Sequence, residues 1–257
     1  MLLCITEKCS MGCPHCMDDA KPDGQHMTLE TLEKAMDFII RNKIHHSIIV
    51  TGGEPTEHPV FPMFMGYIIA SLEKHNLKSI ITVTTNGFWI LDNEENREYA
   101  KRIAAGSKNV QVNFQVSADP RFYPKRLDIT KRIWREKGFV LCDNCIERIY
   151  PQGRAKTNNL TWEAKGSKCF NIRAFTKQLP SPTLESVIWA LAMKAKFCAP
   201  MIKINGDIVL GESFLCPSCA SIYDSGEDII QKIKDFKCNG CDIINSNLDM
   251  RYRQFVL

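Results

Sequence analysis

The sequence predicts an α/β protein, a run of βα units forming a partial (β/α)6 barrel-like parallel sheet, followed by a small cysteine-rich α+β extension of a β-hairpin and a helix. Three observations predict it. From Leu2 to Tyr150, short β-rich runs alternate with amphipathic helical patterns, as parallel strands joined by helical crossovers require. After Tyr150 the pattern changes to loop, helix and hairpin. The cysteines, twelve in 257 residues, fall in groups rather than scattering along the chain.

The candidate strands are LLCIT (2–6), SIIVT (47–51), SIITVT (79–84), NVQVNFQVS (109–117), FVLC (139–142) and IERIY (146–150). The clearest helix begins after Thr28, an N-cap residue, and carries Leu29, Leu32, Ala35, Met36, Ile39 and Ile40 as a stripe at period 3.6. Further helices are expected over 60–75, 94–105 and 125–137. Six βα units result, short of the eight that close a barrel. PQGRAKTNN (151–159) reads as loop. SPTLESVIWALAMKAKFC (181–198) reads as a helix capped by Ser181 with Pro182 at its first position. In MIKINGDIVL (201–210), Asn205-Gly206 between alternating apolar residues is a hairpin signal. The expected domains are 1–160 and 161–257. His45 and His46, just before a strand, are expected in a surface loop.

The composition is that of an ordinary globular protein, 44% hydrophobic and 24% charged. No apolar run reaches the roughly 18–20 residues that span a bilayer, and the N-terminus has no signal-peptide pattern. A cytoplasmic protein is expected. The net charge of +4 is spread along the chain and says little for nucleic acid; RFYPKR (121–126) is a faint basic-aromatic hint. In such a protein, clustered cysteines point to metal more than to disulfides.

Cys9, Cys13 and Cys16 follow the first strand with spacing C-x3-C-x2-C. They should therefore lie at the C-terminal edge of the sheet, where α/β barrels place active sites. Three thiolates can hold three corners of a [4Fe-4S] cluster and leave one iron open. They can also form a zinc knuckle completed by His15, His26 or another ligand. Gly52-Gly53-Glu54-Pro55 follows the second strand; its glycines permit close backbone approach, and its carboxylate can accept from an ammonium.

On these residues the chain resembles the radical S-adenosylmethionine (SAM) superfamily. His15 stands in a slot that is usually aromatic, and TTNG (84–87) and SAD (117–119) follow the third and fourth strands. The resemblance implies that SAM's methionine moiety completes the open iron. The electron delivered through the cluster then cleaves SAM to methionine and a 5′-deoxyadenosyl radical that abstracts hydrogen from substrate. It also implies that Gly52, Gly53 and Glu54 hold the SAM amino group and that Ser117 and Asp119 meet its ribose or carboxylate. Asn86 is a further candidate contact, and Arg154 in YPQGRAK is placed near SAM or a second cluster.

Cys198, Gly211 and Cys216 fit the opening of the SPASM and Twitch auxiliary-cluster domains, and Cys219, Cys238 and Cys241 add thiolates. The gap of 18 residues after Cys219 departs from the SPASM pattern, so one Twitch-like auxiliary [4Fe-4S] cluster is expected. The same C-x2-C pairs suit structural zinc. Cys142 reads as a strand residue packing as a small hydrophobe. Cys145 is a candidate hydrogen-atom donor, and Cys169 a possible ligand.

The expected substrate is a peptide or protein side chain, undergoing crosslinking, epimerisation or oxidation. A nucleoside, tRNA or small metabolite is the alternative, and a zinc-stabilised binding module the non-enzymatic one. Expected partners are a reductant such as flavodoxin or ferredoxin and a separate leader-binding protein, with no membrane.

Overall fold

The computed structural model describes residues 1–91, 93–119, 138–142, 152–160, 181–194 and 199–236. Five parallel strands follow in order: β1 (Leu2–Thr6), β2 (Ser47–Gly52), β3 (Ser79–Thr85), β4 (Val110–Ser117) and β5 (Phe139–Cys142). Beyond β1 the sheet continues through β6 (Pro200–Ile202), β7 (Asp207–Leu210) and β8 (Ser218–Ser221), giving the order β5-β4-β3-β2-β1-β6-β7-β8. β6 runs parallel to β1, and the last two strands are antiparallel. The sheet is mostly parallel and open, with β5 and β8 at its edges among the described residues.

Helices cover one face: α1 (Leu29–Arg41), α2 (Phe61–Lys74), α3 (Phe88–Leu91) and α4 (Glu94–Ala104). Later come α5 (Gly153–Thr157), α6 (Leu184–Lys194) and α7 (Gly226–Asp235). Thr28 caps α1 as expected, its side chain accepting from the Thr31 N–H. For α6 the cap differs from the expectation: Thr183, not Ser181, accepts from the Ser186 N–H at 3.2 Å, and the helix starts at Leu184. A capping hydroxyl serves the N–H three residues ahead, and Thr183 stands at that offset.

The core lies between sheet and helices. Ile48, Val50, Ile81, Val83, Val112 and Phe114 point into it and are buried. The alternate residues of the same strands, among them Thr82, Thr84, Asn113 and Gln115, are only half-buried and form the opposite, inner face. His45 is buried while His46 is exposed. The predicted surface loop is therefore only half right, because His45 lies under the start of β3, where its carbonyl accepts from Ser79 Oγ. Predicted strand 146–150 and helix 125–137 lie outside the described residues, as do 121–126.

Candidate active site

The loop after β1 carries Cys9, Cys13 and Cys16, and its backbone is held from three sides. From the β2 side, the Gly53 N–H donates to Thr6 O at 2.8 Å and the Glu54 N–H to Lys8 O at 2.7 Å. Glu57, in the 3-10 turn Pro55–Glu57, then takes the Ser10 N–H and hydroxyl on its two carboxylate oxygens at 2.9 and 2.7 Å. The pairing of β1 with β2 is thus carried past the sheet into the cysteine loop. It needs glycine because a Cβ on Gly52 or Gly53 would collide with the backbone carbonyl of Thr6 or Lys8.

From a second side, Arg154 donates from Nε to Cys13 O at 3.0 Å. Its Nη1 donates to Ala20 O at 2.8 Å and Asp19 Oδ1 at 3.2 Å. The Ala155 N–H reaches Cys16 O and Asn158 Nδ2 reaches Pro14 O. From the third side, Asp18 Oδ1 accepts from the Phe214 N–H at 3.0 Å. Phe214, 9% exposed, packs in one apolar cluster with Cys4, Cys9, Cys16, Cys216 and Met11.

Glu54 is 3% exposed. Its Oε1 accepts from the Thr56 N–H, Thr56 Oγ1 and Thr85 Oγ1, and its Oε2 from the Asn86 N–H at 2.6 Å. Burial pushes its carboxyl above the usual range, against the pull of these hydrogen bonds. The carboxylate therefore ties the end of β2 to the end of β3. Oε2 receives one of the four bonds and keeps acceptor capacity.

A cavity of about 810 Å³ runs along the inner side of β1 and β2, from Met1, Lys43 and Ser47 at one end to these loops at the C-terminal ends of the strands. Cys9, Cys13, His15, Cys16, Gly52, Gly53, Glu54, Asn86, Ser117 and Arg154 all line it. Asp119 does not; it is 1% exposed beyond the end of β4. Cys216 and Cys219 also lie off the cavity lining and part company. Cys216 joins the apolar cluster of the cysteine loop and receives Gln152 Nε2 at 3.9 Å, while Cys219 packs against the main core and donates to Ile208 O. Cys142 ends β5 half-buried, its sulfur accepting from Gln115 Nε2 at 3.1 Å. Cys145, Cys169, Cys198, Cys238 and Cys241 lie outside the described residues.

The cysteine loop suits a cubane. Its three thiols share one braced loop, and the space where a Gly12 Cβ would stand holds no atom within 4 Å. Among the described residues no three His, Cys, Asp or Glu side chains are placed to hold a single metal ion. A cubane spreads its thiolates over different irons, so it does not ask for that convergence. Burial pushes the Cys9 thiol up to about 12, and the nearby Glu54 and Glu57 carboxylates add to it. Metal binding at Cys9 must therefore expel a proton.

Several cavity and loop residues carried no recognisable motif: Glu57, Asp18 and Gln115. Only Gln115 had a signal, the alternation within VQVNFQVS. Parallel strands covered on both faces tend to be apolar throughout, so alternate polar residues mark an open inner face.

The radical SAM superfamily model matches residues 3–146, more than half of the chain. No curated protein sequence matches it significantly. Among solved structures, the crystal structure of BtrN in complex with AdoMet and 2-DOIA aligns with a TM-score of 0.55 at 12% identity. That alignment covers 98% of this chain and 87% of that one. Native anSMEcpe with bound AdoMet and Cp18Cys peptide aligns at 0.52 and 17% identity, over 89% and 78% of the two chains. Streptococcus suis SuiB bound to S-adenosylmethionine aligns at 0.51 and 14% identity, over 92% and 67%. These likenesses are of fold, and they agree with an open, partial barrel. The family match, falling on the strands and the cysteine loop just described, shows that the chain belongs to the radical SAM superfamily.

Proposed function

We propose that this enzyme holds a [4Fe-4S] cluster on Cys9, Cys13 and Cys16 and directs a SAM-derived radical at a side chain of a peptide or protein. The observation that carries the reading is the meeting of the three thiols with Gly53, Glu54, Asn86 and Ser117 around one cavity. When bound, cluster and SAM together supply a 5′-deoxyadenosyl radical able to abstract hydrogen from an unactivated C–H bond.

The chain's own residues do the rest. Glu54 offers the spare acceptor capacity of Oε2 to the SAM ammonium beside Gly52 and Gly53. Ser117 is the stronger of the two ribose candidates, since it lines the cavity and Asp119 does not. Arg154 braces the cysteine loop while facing the same cavity. Phe214 and the surrounding apolar cluster keep water from the Cys9 side.

The peptide class is supported by the fold shared with anSMEcpe and SuiB, the first of which is described with a bound peptide. A small metabolite is the second reading, favoured by the extent of the match to BtrN, described with 2-DOIA. For the C-terminal cysteines we propose one auxiliary [4Fe-4S] cluster drawing on Cys198, Cys216, Cys238 and Cys241, since Cys219 packs against the main core away from Cys216, with structural zinc as the competing occupant. A flavodoxin or ferredoxin would serve as reductant, and a separate protein would bind a peptide leader.

Anaerobic iron, zinc and sulfide counting with electron paramagnetic resonance tests this reading. About eight irons per chain are expected in wild type and ~4 in a Cys9/Cys13/Cys16→Ala variant, as two cubanes require. SAM should change the wild-type spectrum. Roughly four irons with one zinc would reassign the C-terminal cysteines to zinc. A spectrum blind to SAM would overturn the proposal.

A further inference from the structure

The inner face of the sheet carries a row of neutral hydrogen-bonding side chains of which the cysteine and SAM chemistry uses only Ser117. On β4 they are Gln111, Asn113, Gln115 and Ser117, and on β3 Thr82 and Thr84. The strands are in register, with Thr82 beside Asn113 and Thr84 beside Gln115. Gln115, Ser117 and Thr84 line the main cavity. Gln111 and Asn113 line a second one of about 650 Å³ at the opposite strand ends. The outward partners in the same strands, Val110, Val112, Phe114 and Val116, are all buried and apolar. The interior of a closed (β/α)8 barrel is instead filled with bulky branched residues. This wall is therefore built to hydrogen-bond something.

Its chemistry and length narrow the choice. The row bears amides and hydroxyls without a formal charge. The charged lining residues sit toward its ends: Asp18, Glu54, Arg154 and Glu212 near the cysteine loop, and Lys43, His46, Lys78, Lys108 and Glu185 toward the other mouth, none of them on β3 or β4 themselves. A polyanion would find no cations along it. From Gln111 to Ser117 the row spans about 20 Å at the rise of a parallel strand, long for a sugar-sized molecule. The three amide side chains repeat every second residue, roughly 6.6 Å, which is also the repeat of like-facing amides in an extended peptide. Internal bonds leave capacity: Gln111 Nε2 donates to Asn113 Oδ1 and Gln115 Nε2 to Cys142 Sγ, so Asn113 Nδ2 and Gln115 Oε1 are not spent on them.

We infer that the β3–β4 inner wall binds the main chain of an extended peptide, with Asn113 and Gln115 hydrogen-bonding its amides and feeding one residue toward the cysteine-loop end. This rests on the peptide reading above and assigns it a binding surface.

The test uses the reconstituted full chain with dithionite, SAM and one of two probes. One is a tryptic digest of protein from cells grown in D2O, and the other a deuterated non-peptide metabolite fraction from the same cells. Abstraction breaks a substrate C–D bond and leaves the deuterium on the 5′ carbon, dithionite having supplied the electron. The readout is the deuterated fraction of the 5′-deoxyadenosine formed, which is normalised for total SAM cleavage.

Deuterium is expected from the peptide probe, and the fraction should fall about five- to tenfold in Asn113→Leu and in Gln115→Leu, as for loss of one or more hydrogen bonds. Near-isosteric Thr84→Val is the second variant should either leucine fail to fold, which thermal melting reports. An undiminished fraction in folded variants would overturn the wall assignment. Deuterium from the metabolite probe alone, or from neither probe while SAM is cleaved, would overturn the peptide main chain as occupant. Failure of the wild type to form 5′-deoxyadenosine would instead strike the underlying radical SAM assignment of the site.

Discussion

Glu54 and His58 stand four residues apart and are both buried polar side chains whose hydrogen bonds go to backbone or hydroxyl partners. His58 Nε2 donates to Met27 O at 3.0 Å while Nδ1 accepts from the Val60 N–H at 3.3 Å. A proton on Nδ1 would oppose that second bond, and burial holds the pKa below its ordinary 6.5. The unfolded chain then takes up the proton more readily than the folded one. The stabilisation is complete above 6.5 and is lost as pH falls from 6.5 toward the lower folded value. His26 and His45 are shifted in the same direction by burial, so several groups share the window. Urea unfolding at pH 7.5 and 5.5 should show lower stability at 5.5, with a smaller difference in His58→Gln. Equal differences in the two proteins would show that His58 takes no part.

At the level of elements, the segment from Gly52 to Glu57 acts as a splint. Thr6 at the end of β1 and Lys8 and Ser10 of the cysteine loop each meet it in turn, through Gly53, Glu54 and Glu57. The Gly-Gly pair was legible in the sequence as a place of close approach, but the approach is to the first strand's own backbone as well as to a cavity. Gly53→Ala should displace that backbone. We expect a loss of about 1–3 kcal/mol in stability, typical of overpacking, and reduced iron after anaerobic reconstitution. Wild-type iron content would show that the loop tolerates the displacement. β3, β4 and α1 were legible because their periodicities are long and clean, while β1 and β5 were legible only as short β-rich runs. The cap of α6 was not, since Ser181 and Thr183 are both good caps and only the hydrogen bond to Ser186 separates them.

Across the whole molecule, three stretches distant in sequence converge on the cysteine loop: 52–57, 152–158 and 211–216. Arg154 reaches Cys13, Asp19 and Ala20 from more than a hundred positions away, and Phe214 reaches Asp18 from farther still. Its side chain is 22% exposed, so its removal strands the Cys13 and Ala20 carbonyls, while Asp19 stays partly exposed and paired with Lys21. Arg154→Met should cost about 3 kcal/mol, the scale of losing charge-assisted hydrogen bonds, and should speed iron loss to a chelator. Arg154→Lys should recover only part, because an ammonium cannot reproduce the fork. If Arg154→Met melts and retains iron like wild type, the clamp carries no weight. No helix of the described chain is long and apolar enough to cross a membrane.

The sequence by itself determined the strand and helix order, the cysteine loop after β1 and the Gly-Gly-Glu turn after β2. These are local signals, written in spacing and periodicity, and they sufficed to suggest the superfamily. Only the tertiary structure decided which side chains share the cavity. It put Ser117 on the lining and Asp119 off it, two positions apart. It drew Cys216 to the cysteine loop and Cys219 to the opposite core. It also turned Arg154 and Glu57 into braces of the loop. The physical reason is that a strand's alternation tells which residues share a face, whereas the partner of that face is chosen by how distant segments pack.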